Sequence, residues 1–425
     1  MKELVQSTTK INHTVDEIMN CRFCAAPLRH TFVDLGMSPL CESYVKAEDL
    51  NKQELFYPLH AYVCEKCFLV QLDDYVPREH IFTEYAYFSS YAESWVQHAK
   101  TYVEMITKRL GLTTSSHVVE LASNDGYLLQ HFLPLGIPIL GIEPAANVAK
   151  AAVERGVDTR VLFFGEQTAK ALAQEGLHAD LILGNNVFAQ VPDLNDFVRG
   201  IKILLKPQGV LTMEFPHLMR LMEENQFDTI YHEHFSYFSL ITVDKILATH
   251  GLRLFDVEEL STHGGSLRIY ACHTDDSSKA VEYRVTQLLG REEMAGFMTM
   301  NCYSIFAEQV KETKRRLLEF LITAKREGKT IAGYGAPGKG NTLLNFCGIR
   351  TDFIDFTVDR NPYKQGKFLP GTHIPILHPD KIKESRPNYL FILPWNFKDE
   401  IMKQNAFIRE WGGKFVIPIP SVTVY

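Results

Sequence analysis

Tyr231-His232-Glu233-His234, with Tyr237 close behind, gathers phenol, imidazole and carboxylate groups into one short stretch, QFDTIYHEHFSYF. Such groups in one loop suit proton transfer near neutral pH. Two other readings compete: a metal pair, because His-x-His on an extended segment can chelate, and a purely structural histidine cluster. H-E-x-x-H is absent, and no third ligand stands nearby. The other reactive set is a pair of Cys-x-x-Cys turns, Cys21/Cys24 and Cys64/Cys67. Each turn aims two thiolates at one ion, and two turns complete a four-sulfur structural zinc site. Redox dithiols or free buried cysteines are the rivals. Four sulfurs leave no open coordination position, so the ion is scaffold. Cys41 falls outside both turns and reads as a small buried hydrophobe.

The elements that must position these groups centre on VVELASNDGYLL, Val118–Leu129. An apolar run reaches Glu120, a turn carries Asn124, Asp125 and Gly126, and a helix is predicted over Tyr127–Phe132. The next apolar run, a strand over Ile139–Ile142, leads to Glu143. A third short strand near Thr159–Leu162 and a fourth over Ala179–Leu183 follow, the latter with Asn185 and Asn186 at its end. A fifth covers Val210–Phe215. Helices over 147–155, 166–175 and 193–205 separate them, which argues for a parallel sheet with ligands at its carboxyl edge. G-x-G-x-x-G is absent, because Ala122 and Ser123 stand where its first glycines belong. Asn124-Asp125-Gly126 with Glu143 instead resembles the S-adenosylmethionine pocket of Rossmann-like methyltransferases. An ordinary strand–helix turn is the plainer alternative. The cofactor candidates are Glu120, Ala122, Asn124, Asp125, Gly126, Glu143, Asn185 and Asn186.

Beyond the Tyr-His-Glu-His stretch, a helix from about Thr242 to His250-Gly251 gives that loop a floor. A hairpin, Gly251–Glu258 with Ser266–His273, then closes the sheet edge, and its connection THGGS reads as a flexible loop that can border a substrate. Ser278–Gly328 reads as a bridging helix pair. A second strand–glycine turn–helix unit comes next: strand Thr330–Gly333, turn Tyr334–Asn341, helix Thr342–Cys347, and a further strand ending at Asp359. Its glycines and Lys339 suit a phosphate or pyrophosphate, although the ATPase-loop motif is missing. The candidates there are Tyr334, Gly335, Ala336, Lys339, Gly340, Asn341 and Asp359, with Trp395 and Asn396 of LPWNF. A packing domain without phosphate is the alternative. Earlier in the chain, Tyr75, Tyr85, Tyr87 and Tyr91 are dense around Ser89-Ser90, where a helix through Arg109 begins. Core packing explains most of those rings, yet phenols beside two serines can line a sugar pocket.

Bulk properties narrow the classes. The 425 residues allow two or three domains, with 46% apolar and 22% charged residues. A net charge of −7 with no basic run disfavours a nucleic-acid partner. No apolar run reaches the ~18 residues of a membrane span, and MKELVQSTTK lacks a signal peptide's apolar core. A cytoplasmic location is the expectation.

Taken together, the paired CxxC, ELASNDGYLL, NNVFAQVPDLNDF, YHEHFSYFS, HGGSLRIYACH, GYGAPGKGNTLLN, PGTHIPI and LPWNF resemble the deoxy-sugar C-methyltransferase family. These S-adenosylmethionine-dependent enzymes act on nucleotide-linked 4-keto-6-deoxy sugars. The resemblance implies an α/β chain with a zinc-binding module (1–80), a central Rossmann-like methyltransferase domain (81–277) and a C-terminal Rossmann-like nucleotide-sugar domain (278–425). It makes His234 the general base, supported by Glu233 and Tyr231, with Tyr87 or Tyr85 near the sugar. It implies methylation at C3, with C5 open, and a dTDP- or GDP-linked substrate; it leaves a monomer or a dimer open. The family pattern has histidine where this chain has Phe88 and Gln190, a change that bears on sugar epimer, nucleotide or carbon. An O- or N-methyltransferase on a nucleotide sugar, a zinc-containing RNA-modifying or RNA-binding protein, and a non-catalytic nucleotide-sugar-binding protein are the competing functions.

Overall fold

The structure, a computed structural model, describes residues 19–76 and 88–425. Its central sheet has seven strands, ordered Leu252–Leu260, Ser266–His273, Leu205–Pro216, Ala179–Asn185, Val118–Leu121, Ile139–Ile142 and Thr159–Arg160. The last five run parallel, and the first two form an antiparallel hairpin on their edge. Val118–Leu121 is buried along its whole length, as an apolar strand covered on both faces must be. The flanking helices stop where their sequence says. Helix Glu93–Leu110 ends on Gly111 at φ 62°, and Asp193 caps Leu194–Leu204 by accepting from Asp196 N at 2.9 Å.

One expected helix is not there. Tyr127–Phe132 holds only one short 3₁₀ turn, Leu129–His131, and a second, Leu133–Leu135, follows it. Pro134 supplies no N–H, and Gly136 turns left-handed at φ 65°, so an α-helix cannot propagate. The cofactor turn is therefore not a helix N-terminus. Its shape comes from three left-handed residues, Ala122, Asn124 and Gly126 (φ 55°, 49° and 76°).

The cysteine-bearing segment contributes strands His30–Ser38, Tyr57–Val63 and Val70–Leu72 to a four-stranded antiparallel sheet. The fourth strand is Ser236–Tyr237, directly after His234, with Val70 opposite Tyr237 and Gln71 opposite Ser236. Leu72 N also donates to Phe235 O at 3.0 Å. The Tyr-His-Glu-His loop is thus tied at its exit to the zinc module.

A six-stranded sheet ends the chain, ordered Ile376–Leu377, Phe356–Val358, Ile331–Tyr334, Tyr389–Ile392, Lys414–Ile417 and Thr423–Val424. Only its last pair is antiparallel. The linker to it holds three helices rather than a pair: Tyr283–Met294, Met300–Ser304 and Phe306–Arg326. Phe306 stacks on Phe32 of the zinc module at 4.5 Å, and one apolar core runs from Phe32 and Leu59 through Leu317 to Ile331. Val45 and Phe368 exchange backbone hydrogen bonds of 3.0 and 2.8 Å, adding a second seam. Among the described residues no helix is long and apolar enough to cross a membrane.

Candidate active site

A cavity of about 340 Å³ opens where the carboxyl edges of both Rossmann-like sheets meet the loop after the fifth central strand. Asn124, Glu143 and Asn185 form its wall on the central-sheet side, and Pro337, Gly338 and Lys339 face it from the C-terminal side. Tyr231, Glu233 and His234 reach it from the loop, and Cys41 and Glu42 from the zinc module. Cys41 is therefore more than a buried hydrophobe. Its Sγ lies 3.4 Å from Glu233 Oε1, where the thiol donates to the carboxylate.

Both glycine turns are braced alike. Glu143, at the tip of the second central strand, accepts from Asn124 N (2.9 Å) and Ala145 N (2.8 Å). Asp359 accepts from Ala336 N (2.7 Å) and Asn361 N (2.8 Å). Burial pushes the Glu143 carboxyl up to about 7. Glu120 is buried behind it, and burial with Glu143 and Asp125 nearby raises its carboxyl well above the usual range. Among the described residues, both Glu120 oxygens, Ser123 Oγ and Asn185 Nδ2 lack a hydrogen-bond partner. Orphaned polar atoms gathered at one sheet edge fit a polar cofactor, and S-adenosylmethionine meets that donor and acceptor set.

Several predicted residues stand behind the wall rather than on it. Asp125 is turned into the protein: its carboxylate pairs with Arg155 at 2.8 Å and accepts from Ser90 Oγ at 2.5 Å. Asn124 Oδ1 likewise takes Ser89 N at 2.9 Å, so the Ser89-Ser90 segment is fastened to the cofactor turn. A Cβ on Gly126 would meet Val157 at 3.0 Å and Ala152 at 3.2 Å, which makes that glycine a packing requirement. Of the second turn, Lys339 and Asn396 line the cavity. Gly335 packs on Pro394, Gly340 on Leu393, and Asn341 is buried beside Asn345. Tyr334 is buried at the end of its strand, and Ala336 O is occupied by Tyr44 Oη (2.7 Å) and Lys364 Nζ (2.9 Å). Trp395 Nε1 donates to Asp228 at 2.7 Å. Asn186 and Gln190 line the cavity, while Phe88 stacks with Tyr91 and Tyr363. Tyr85 and Tyr87 lie outside the described residues.

The loop itself is ordered for proton chemistry. His234 Nδ1 lies 3.3 Å from Thr229 O. A carbonyl only accepts, so Nδ1 carries the proton and Nε2 keeps its lone pair. Burial pushes this imidazole down to about 4, so it is neutral at pH 7. The Tyr231 ring packs against it at 4.2 Å, and burial raises that phenol well above 10, keeping its proton. His232 instead bonds Pro58 O at 3.1 Å.

Sequence reasoning missed a second histidine at the cavity. His263 takes a left-handed φ of 54° in the turn Thr262–Gly264, and its Nε2 lies 3.1 Å from Asn186 Nδ2. The turn is braced at two carbonyls: Gly264 O accepts from Gln226 Nε2 (2.7 Å) and Gly265 O from His217 N (3.1 Å). Its signal was a histidine followed by two glycines between strands, a turn that fixes one side chain. Gly264 has φ +92°, and an added Cβ would stand 2.6 Å from the Trp395 ring. Gly264→Ala is expected to destabilise the protein by about 1–3 kcal/mol, read from a urea or thermal melt. An unchanged melt would show that the Trp395 contact yields freely.

The zinc site closes the geometry. Cys21 and Cys67 sulfurs are 3.5 Å apart, as are those of Cys24 and Cys64, and all four lie within 4.8 Å of one another. Ala25 and Phe68, each following a second cysteine, are left-handed (φ 58° and 65°), so the two turns have the same shape. Four thiolates in this arrangement fit tetrahedral zinc, whose sulfurs stand ~3.8 Å apart for a Zn–S bond of ~2.3 Å.

A doubly wound central sheet with an acidic second-strand tip, joined to a four-cysteine module, defines a zinc-containing, S-adenosylmethionine-dependent methyltransferase. Three family models match: a putative zinc binding domain (residues 21–82), a methyltransferase domain (95–257) and a C-methyltransferase C-terminal domain (261–420). The C-methyltransferase NovU of Streptomyces niveus is 36% identical over 96% of this chain and 97% of its own length. The ubiquinone biosynthesis O-methyltransferase of Bartonella tribocorum is 30% identical over 22% of this chain and 38% of its own. Magnesium protoporphyrin IX methyltransferase (ChlM) from Synechocystis PCC 6803, solved with SAH, aligns with 42% of this chain and 82% of its own, at TM-score 0.33 and 14% identity. The chain belongs to the C-methyltransferase family that contains NovU.

Proposed function

We propose that this C-methyltransferase methylates C3 of a nucleotide-linked 4-keto-6-deoxy sugar through an enolate. The observation that carries the reading is one cavity faced at once by the methyl-donor wall, the neutral His234 and the second glycine turn. A carbon beside a ketone becomes a nucleophile only when its proton is removed and the resulting charge is held. His234 Nε2 takes the C3 proton, Tyr231 keeps a phenol proton to donate, and Glu233 supports the loop. Asn124, Glu143 and Asn185 hold S-adenosylmethionine, whose sulfonium supplies the electrophilic methyl when bound. The nucleotide lies against the 334–341 turn.

The test uses purified protein with dTDP- and GDP-linked 4-keto-6-deoxyhexoses and methyl-labelled donor, with the product read by NMR. A methyl singlet on a quaternary carbon is expected. A methoxy or N-methyl signal overturns the reading, as does binding of both ligands without turnover. Thermal shifts across a nucleotide panel identify the base, since only a ligand of the native state raises Tm.

A further inference from the structure

Lys339 reads from sequence as a phosphate ligand, yet its surroundings are those of the proton-transfer centre. Its Nζ donates to Asn396 Oδ1 at 2.8 Å and lies 4.5 Å over the Trp395 ring. Trp395 in turn is pinned by Asp228 and overhangs Gly264, next to His263. Asp228 Oδ2 is engaged by Trp395, and the Asp228 carboxylate is felt at Lys339, although among the described residues no carboxylate makes a direct ion pair with Lys339. Four separate segments meet at this point: the loop ending in His234, the His263 turn, the start of helix Gly338–Cys347 and the 394–396 turn. The charge of Lys339 is felt at both His234 and His263. An ammonium with no carboxylate in direct contact, beside two neutral imidazoles in a cavity, stabilises negative charge that appears there.

Building on the proposed ketosugar substrate, we infer that Lys339 is a catalytic residue whose ammonium binds the C4 oxygen and neutralises it as the enolate forms. The step balances without an added reagent. The C3–H bond breaks, its proton passes to His234 Nε2, and its electron pair becomes the C3–C4 double bond while the carbonyl π pair moves onto oxygen beside Lys339. Without methyl donor the same steps reverse with solvent hydrogen, so deuterium enters C3.

K339M and K339R are compared with wild type in D₂O, for deuterium wash-in at C3 at saturating ketosugar nucleotide without donor, and for dTDP and GDP affinity by calorimetry. K339M is expected to lose ~10²-fold or more in wash-in, as removal of an oxyanion donor does, with nucleoside-diphosphate Kd within about twofold. K339R, keeping the charge, is expected to recover at least about tenfold of that loss. Wash-in by K339M close to wild type overturns the inference. So does an affinity loss of more than about tenfold for the nucleoside diphosphate, which would return Lys339 to phosphate binding. If K339M melts early, K339R decides: wash-in falling only in step with nucleotide affinity overturns the role. Absence of wash-in by wild type with every ketosugar tried overturns the substrate reading itself, and this inference with it.

Discussion

His234→Asn is expected to remove both C3 deuterium wash-in and methyl transfer, by ~10²–10⁴-fold, while S-adenosylmethionine still binds. Asparagine keeps a side-chain donor for Thr229 O, the partner of Nδ1, but has no basic nitrogen for the proton. The wall proposed to hold the methyl donor, with Asn124, Glu143 and Asn185, is built from other strands, so donor affinity should hold within about twofold. The pH profile adds a second reading. A buried imidazole at about 4 is neutral throughout the physiological range. Because the base must be unprotonated, kcat/KM should stay flat from neutrality down to about pH 5 and fall only as pH approaches 4. A solvated histidine would put that limb near ~6.5. Wild-type wash-in by the asparagine variant removes His234 from the role, and an acid limb near 6.5 removes the buried state.

The same groups limit acid stability. His234 and His263 are both pushed to about 4 by burial. Each favours the folded state fully above the unfolded value of ~6.5 and loses that contribution as pH falls toward 4. The melting temperature should drop across that window, and His263→Asn should flatten the drop. A slope unchanged by that substitution would place the acid sensitivity elsewhere.

Sequence patterns located elements whose signals are local. Val118–Leu121 and Ile139–Ile142 appear as read, because short apolar runs bounded by turns have few other solutions in a doubly wound sheet. The paired cysteines converge because spacing alone shapes each turn. What sequence could not supply is contact between distant segments. Ser236–Tyr237 read as the end of a loop, yet it is a strand, since its partner Val70–Leu72 lies far back in the chain. Cys41 and Glu42 carried no motif, and reach the cavity only because the zinc module docks beside helix Gly338–Cys347. Asp125 resembled a cofactor ligand by position, whereas Arg155 and Ser90 determine where its carboxylate points. The expected helix at Tyr127 failed for a local reason: Pro134 and Gly136 stand too close behind its start.

Removing zinc, by chelation or Cys67→Ser, is expected to abolish activity although the ion has no open coordination position. The reason is the route from the cysteines to His234. Cys64 and Cys67 close the turn between Tyr57–Val63 and Val70–Leu72, and Val70–Leu72 anchors Phe235–Tyr237, the residues right after His234. The same module sends Cys41 to Glu233 and Tyr44 to Ala336. Structural zinc in small domains supplies ~10–16 kcal/mol of apparent folding free energy, so its loss frees the module's strands together. Tm should fall by on the order of 10 °C or more, and the C3 wash-in should vanish with it. Cobalt substitution separates scaffold from catalyst, because cobalt(II) occupies four-thiolate sites with similar geometry and a visible spectrum. Cobalt-loaded protein is expected to keep wild-type wash-in within about twofold and an unshifted acid limb. A changed limb would mean that the ion takes part in the proton step, and retained activity in the metal-free protein would mean that the module does not hold the loop.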